Sequence, residues 1–422
     1  MSKKEKNKYS FKSILNKIIL GLAITILILL LIIFLTTDIN AIKAAFANIN
    51  IGYLFAAIGL TVLYFLLSPI TTCILTKAKK CDISMLDTFL IGNTEHFFNG
   101  ITPFATGGQP FQVYSYSRLG IKASSSTGIL MMNFIIHMAV TNLFALLSIA
   151  IYPKLITAVG SLLPMIIIGF TMNFLSFGII ILLACSKKTA NFLVYLLNLL
   201  GKIKFLSKFI KPAVPAFQKY CEDTQSAFKE LWKHKGAASL CFIIRAITMF
   251  VYYAITFYIL RSFNINCSYT DLFFVICGTS FAITTCVFIP TPGGSGGIEF
   301  AFTSIFVFIA SGITKDLGAS GMLLWRILTY YGLMLISFID YLILEKRTLK
   351  YEKSHKLIAV YEDLLNDDSS NICGSTAQDS DNTQTPPSCV IEAVTNENNT
   401  ASQDEYTNTK TEDKNNNYLI KE

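Results

Sequence analysis

Apolar residues in this chain do not alternate with polar ones; they run on for eighteen residues and more, long enough to cross the hydrocarbon core of a bilayer. The first run, Ile18 to about Leu35, follows a stretch carrying Lys3, Lys4, Lys6, Lys8, Lys12 and Lys17. That opening resembles a secretory signal peptide, and Ala45-Phe46-Ala47 supplies small residues for cleavage. The run is too long for the apolar region of such a peptide, so an uncleaved first span is predicted. Five more spans are predicted: Ile51 to about Leu75, then 124–151, 161–185, 237–261 and 320–344.

Two stretches depart from this pattern. In 85–100, Asn93, Thr94, Glu95, His96 and Asn99 interrupt an apolar limb, and a short second limb, 110–119, follows. Farther on, 271–289 and 298–312 flank a second interruption. The interruptions are twins. Thr102-Pro103-Phe104-Ala105-Thr106-Gly107-Gly108-Gln109-Pro110-Phe111 and Thr291-Pro292-Gly293-Gly294-Ser295-Gly296-Gly297-Ile298-Glu299-Phe300 share T-P-x-x-[TS]-G-G-x-x-F without a gap, 189 positions apart. Proline removes a backbone donor, and paired glycines do not hold a helix well. Backbone groups freed in a membrane persist only where they are buried in protein or face a wet cavity. Matched breaks in two halves of a chain point to a transport site near the bilayer midplane.

Charge orients the runs. Lysine and arginine gather on the cytoplasmic side of membrane proteins, which places the N-terminus, Lys77, Lys79 and Lys80, Arg118 and Lys122, the Lys-rich loop 186–235, and Lys346 onward in the cytoplasm. Limb 85–119 then enters and leaves on one side, as a re-entrant hairpin. Limb 298–312 is only about 22 Å long as a helix, which favours an external hairpin for the second pair over a full crossing. Residues 51–151 and 237–344 become two units of opposite orientation. The expected architecture is an all-α integral membrane protein of about six spanning helices plus two re-entrant helical hairpins arranged as inverted repeats. An apolar piece of the basic loop, 190–200, is expected to lie along the interface as an amphipathic helix.

Composition agrees: 53% of residues are hydrophobic and 15% charged, against about 25% charged in soluble domains. The net charge of +8 hides a split, since residues 366–422 carry eleven acids against three lysines. The basic remainder reads as topology and anionic-lipid contact rather than nucleic-acid binding. The chain divides into a basic cytoplasmic N-terminus (1–17), a membrane domain (18–346), a juxtamembrane segment (347–365) and an acidic cytoplasmic tail (366–422), too poor in large apolar residues to offset chain entropy. None of the ten cysteines has ligand spacing, the four histidines are scattered, and no Walker loop or nucleophile elbow occurs. No metal or cofactor is expected.

The segments Phe97-Phe98-Asn99-Gly100-Ile101-Thr102-Pro103-Phe104-Ala105-Thr106-Gly107-Gly108-Gln109-Pro110-Phe111-Gln112 and Pro290-Thr291-Pro292-Gly293-Gly294-Ser295-Gly296-Gly297-Ile298-Glu299 resemble the flippase-like membrane domain of bacterial lysylphosphatidylglycerol synthases, the multiple peptide resistance factor family. The likeness spans roughly 15–345. It implies a bacterial inner-membrane protein that moves an anionic or aminoacylated phospholipid to the outer leaflet, where added positive charge repels cationic antimicrobial peptides. Full-length members add a soluble domain that transfers lysine from its tRNA to phosphatidylglycerol. The polar tail after Glu345 is expected to lack that domain's core, so the lipid-moving half is implied and lysyl transfer is the alternative. A non-transporting membrane partner is a third reading. A homo-oligomer or a separate synthase partner stays open.

Moving a charged headgroup across about 30 Å of hydrocarbon needs groups that replace water. Broken-helix N-termini offer N–H donors and positive dipole ends, which makes Thr102, Pro103, Gly107, Gly108, Gln109, Pro292, Gly293, Gly294, Gly296 and Gly297 candidates. The glycines serve tight helix packing equally well. Arg245 and Arg326 lie inside apolar runs, where a charge costs roughly 2.5–3.5 kcal/mol or more; each binds lipid phosphate, pairs with Glu95, Glu299 or Asp340, or snorkels toward an interface. Glu95 and Glu299 flank the breaks and suit a lipid amine, a proton relay or a helix N-terminus. His96 and His137 read as packing residues.

Overall fold

The computed structural model describes residues 39–102, 105–153, 163–202, 204–265, 267–286, 302 and 314–373. The described residues are mostly helical and contain no strand. After α1 (Ile39–Ala47), the chain enters α2 (Ile51–Leu67), whose first turn is capped by Asn50 accepting from the Gly52 and Tyr53 amides. Pro69 breaks the run, and α3 (Ile70–Ala78) resumes it. The break has a packing role, because a Cβ on Gly92 would lie 2.6 Å from the Pro69 ring. α4 (Met85–Gly100) and α5 (Gly108–Arg118) follow, then α6 (Ala123–Ile151) and α7 (Leu163–Cys185).

Residues 186–235, expected as a basic loop with an amphipathic helix over 190–200, form two helices. α8 (Lys187–Leu200) turns away from α7 by 115°, and α9 (Lys204–Lys233) packs Thr224 and Ala227 against α6. The lysines drew attention to charge, but Phe217, Tyr220, Cys221, Thr224 and Ala227 recur at helical spacing and cover the bundle. α10 (Lys235–Ser262), a 3₁₀ turn (Tyr269–Asp271), α11 (Leu272–Cys286), α12 (Lys315–Arg326), a π-helical turn (Ile327–Gly332) and α13 (Leu333–Cys373) complete the described chain. α13 runs past the Asn366 boundary drawn from composition.

Among the described residues, four helical stretches are long and apolar enough to cross a membrane: Ile51–Ala78, Ala123–Ile151, Lys235–Ser262 and Asp316–His355. The bent α7–α8 pair makes a fifth candidate. α10 is the central one: half of its apolar window is buried, against 22–39% for the others. It packs on α2, α3, α6, α11 and α12.

α4 and α5 form an antiparallel helical hairpin. Gly108 faces Asn99, Phe111 stacks on Phe98 at 3.7 Å, and the Gln112 amide donates to the Ile91 and Gly92 carbonyls. At about 24 and 16 Å, 16 and 11 residues are too short to span the core. α13 lies along the hairpin. The Ser337 hydroxyl donates to the Asn93 carbonyl and accepts from the Phe97 amide, Asn93 Nδ2 donates to Asp340, and the Tyr330 hydroxyl caps the Gly100 carbonyl. At the hairpin's open end Arg347 pairs with Asp87, while Arg118 pairs with Glu345 and Glu352.

Candidate functional site

Arg245, on the central helix, is 5% exposed. Its Nη2 donates to Thr71 Oγ1 on α3 at 2.6 Å and to Asn133 Oδ1 on α6 at 2.9 Å. Thr71 in turn donates to Asn133 at 2.8 Å. Both acceptors are neutral, and the buried Arg245 Nε has no acceptor. Glu95 lies within electrostatic range of the guanidinium but makes no direct ion pair with it. A buried charge held only by neutral dipoles is costly. The two hydrogen bonds from Nη2 offset part of that cost.

The Glu95 carboxylate accepts from Asn99 Nδ2 at 3.3 Å and lies under the first turn of α5, where its Cγ would be 2.8 Å from a Cβ on Gly108. That proximity to a helix N-terminus suits a carboxylate. Beside it, His96 packs between Tyr64 and Phe65, with ring centroids at 5.6 and 6.0 Å, and its buried Nε2 has no partner. His137 on α6 also lies within the field of Arg245 and His96. From Tyr64 a line of rings runs through Tyr252 (4.6 Å) to Trp325 (5.9 Å). Arg326, 2% exposed, closes that line over Tyr330 at 5.1 Å and acts electrostatically on Tyr252. Arg326 also lies over Trp325 at 5.9 Å, and Tyr64 at the other end of the line is within electrostatic range of Arg245.

The hairpin tip explains its own glycines. Thr102 Oγ1 accepts from the Gly107 amide at 2.9 Å, and Asn99 Oδ1 accepts from the Gly108 amide at 2.8 Å. A Cβ at Gly107 would come within 2.7 Å of the Phe98 carbonyl, and one at Gly108 within 2.7 Å of Asn99 Oδ1. Ala105 takes a positive φ of 51° to turn the chain. Two α5 donors are therefore already satisfied from within the hairpin, and Gln109, the next residue, is partly exposed. Pro103 lies outside the described residues, as do Pro292, Gly293, Gly294, Gly296, Gly297 and Glu299 of the second break. Asp340, weighed as a partner for the arginines, pairs with Asn93.

Thr71, Asn133, Tyr64, Tyr252 and Gln112 were not singled out from sequence. The available signal was polarity inside apolar helices, but a lone Thr or Asn in a span commonly bonds its own helix. Among the described residues no group of three or more His, Cys, Asp or Glu is arranged to hold a metal.

The site thus joins a buried cation, a separated carboxylate and a broken-helix hairpin within a membrane bundle. The family model described as "Lysylphosphatidylglycerol synthase TM region" matches residues 18–337. The chain belongs to that family. Residues 18–337 are its membrane region, a lipid-related one, and they contain every candidate residue named above. No curated protein matches the chain.

Proposed function

We propose that this chain moves a phospholipid between the leaflets of the bacterial inner membrane, with Arg245 receiving the lipid phosphate. The observation that carries the reading is the buried guanidinium with an unused Nε and only neutral acceptors. A phosphate is the anionic partner such a group lacks, and a planar guanidinium suits its oxygens. Glu95, set apart from Arg245 beside the hairpin tip, suits an amine on the same headgroup or a proton that moves with it. Arg326 offers a second station across the Tyr64–Tyr252–Trp325 rings. The acyl tails stay in the bilayer while the headgroup passes.

Family membership supports a phosphatidylglycerol derivative as cargo, lysylphosphatidylglycerol foremost, and a part in resistance to cationic antimicrobial peptides. Two inverted units, 51–151 and 237–344, would supply alternating access around the site. Cytoplasmic termini follow from the positive-inside rule.

The test is reconstitution into vesicles containing fluorescent phosphatidylglycerol, followed by an impermeant quencher. Wild-type protein should expose inner-leaflet lipid faster than empty vesicles, and Arg245→Ala should remove most of the difference. Equal accessibility with and without protein would sink the proposal. Lysylphosphatidylglycerol formed by this chain from charged tRNA would favour the enzymatic alternative.

A further inference from the structure

The α7–α8 corner is not used by the site above, and its surface is unusual. Along α7, Ile168, Met172, Leu175, Ile179 and Leu182 form an exposed apolar stripe of three- and four-residue steps, as a lipid-facing span requires. The chain turns 115° at this corner. There α8 begins with Lys187 and Lys188, both exposed, and exposed Lys202 follows its end.

Between those lysines the apolar stripe resumes. Phe192, Tyr195, Leu196 and Leu199 sit at i, i+3, i+4 and i+7 and are 59, 64, 40 and 46% exposed. The opposite side of α8 is committed to the protein: Ala190 is buried with Leu183 and Cys221, and Leu193 and Phe217 pack around them. α8 therefore has one face held by the bundle and one exposed apolar face that has no partner among the described residues.

We infer that α8 lies in the plane of the leaflet at the Lys-rich end of the bundle and binds anionic phospholipid there, its apolar stripe in the acyl boundary and Lys187, Lys188 and Lys202 on the headgroups. The bend carries the helix away from the axis of the preceding span. Lysines at both ends can lay their stems over the apolar stripe and keep their ammonium groups at headgroup level. Amphipathic helices with this division of faces bind at the interface, more strongly where lipids are anionic. The surface would gather anionic lipid beside the bundle whether or not the chain transports it.

The experiment uses the full chain in nanodiscs of phosphatidylcholine alone and of equal parts phosphatidylcholine and phosphatidylglycerol. Amide hydrogen exchange over 187–200 should slow in the anionic discs, with binding strengthened about fivefold for each lysine seated. The combined Lys187→Gln, Lys188→Gln and Lys202→Gln variant should lose that composition dependence, with unchanged exchange in α10 reporting an intact fold. Equal exchange of wild-type α8 in both discs would overturn the anionic-lipid assignment. Placement is tested with Tyr195→Trp and brominated lipids. Quenching strongest from bromines high on the acyl chain is expected, and quenching strongest at the bilayer centre would show that α8 crosses instead.

Discussion

Two groups of charges flank the α4–α5 hairpin, and the chain treats them in opposite ways. At its open end Arg118 meets Glu345 at 2.6 Å and Glu352 at 2.8 Å, and Arg347 meets Asp87. At the opposite end, Arg245 and Glu95 influence each other without touching, Thr71 and Asn133 accept from the guanidinium, and Tyr64 lies within its electrostatic range. The first arrangement is finished. Every cation already has a carboxylate, so a ligand has little to gain there. The second keeps a cation and an anion desolvated and apart, an arrangement that costs stability unless something bearing both charges passes between them. Direct pairing marks the hairpin's anchor to α13; under the proposed function, separation marks its working end.

Arg245 should show the largest effect. Losing a charge-assisted contact is worth roughly 1.5–3 kcal/mol, so Arg245→Ala is expected to slow lipid movement about 10- to 100-fold in the quenching assay. Arg245→Met sharpens the point, because it removes the charge but keeps a long unbranched side chain in place, Arg245 makes no direct ion pair, and Thr71 still donates to Asn133. Its Tm should hold or rise while transport falls. A parallel loss of both would make Arg245 a structural residue and erase the contrast.

Gly108→Ala comes next. Its Cβ would press on Asn99 and Glu95, and overpacking of that kind costs about 1–3 kcal/mol. Thermal unfolding in detergent should show the loss, and transport should fall with it, because the displaced carboxylate belongs to the site. Glu95→Gln separates these effects, since it keeps the shape and removes the charge. Transport should drop with little change in Tm.

The anchor should respond least. Partly exposed ion pairs contribute about 0–1 kcal/mol each, so Asp87→Arg or Arg347→Asp alone should lower Tm modestly. The double reversal should restore it, and added salt should shrink the difference by screening. If a single reversal abolished transport while Tm held, the anchor would be part of the working end.

The glycine pair at 107–108 was legible as a break, and the structure supplies its cause: Thr102 and Asn99 take the two amides, and no side chain fits beneath. The helix over 190–200 was legible as an apolar piece, but the helical nature of 204–233 was hidden behind its lysines. Its apolar positions became meaningful only once α6 and α7 offered a surface for Thr224, Ala227 and Cys221 to cover.

Run length and residue type alone determined the membrane class, the break at Gly107–Gly108 and the two arginines where no charge belongs by default. They could not determine the partners of Arg245, which come from 174 and 112 residues away. In water, a helix announces its inner face by being polar on the other. In a bilayer both faces are apolar, because lipid tails and protein interior look alike to a leucine. Which way Thr71, Asn133 and Glu95 point is therefore written in how the helices rotate and pack, and only the tertiary structure decided it.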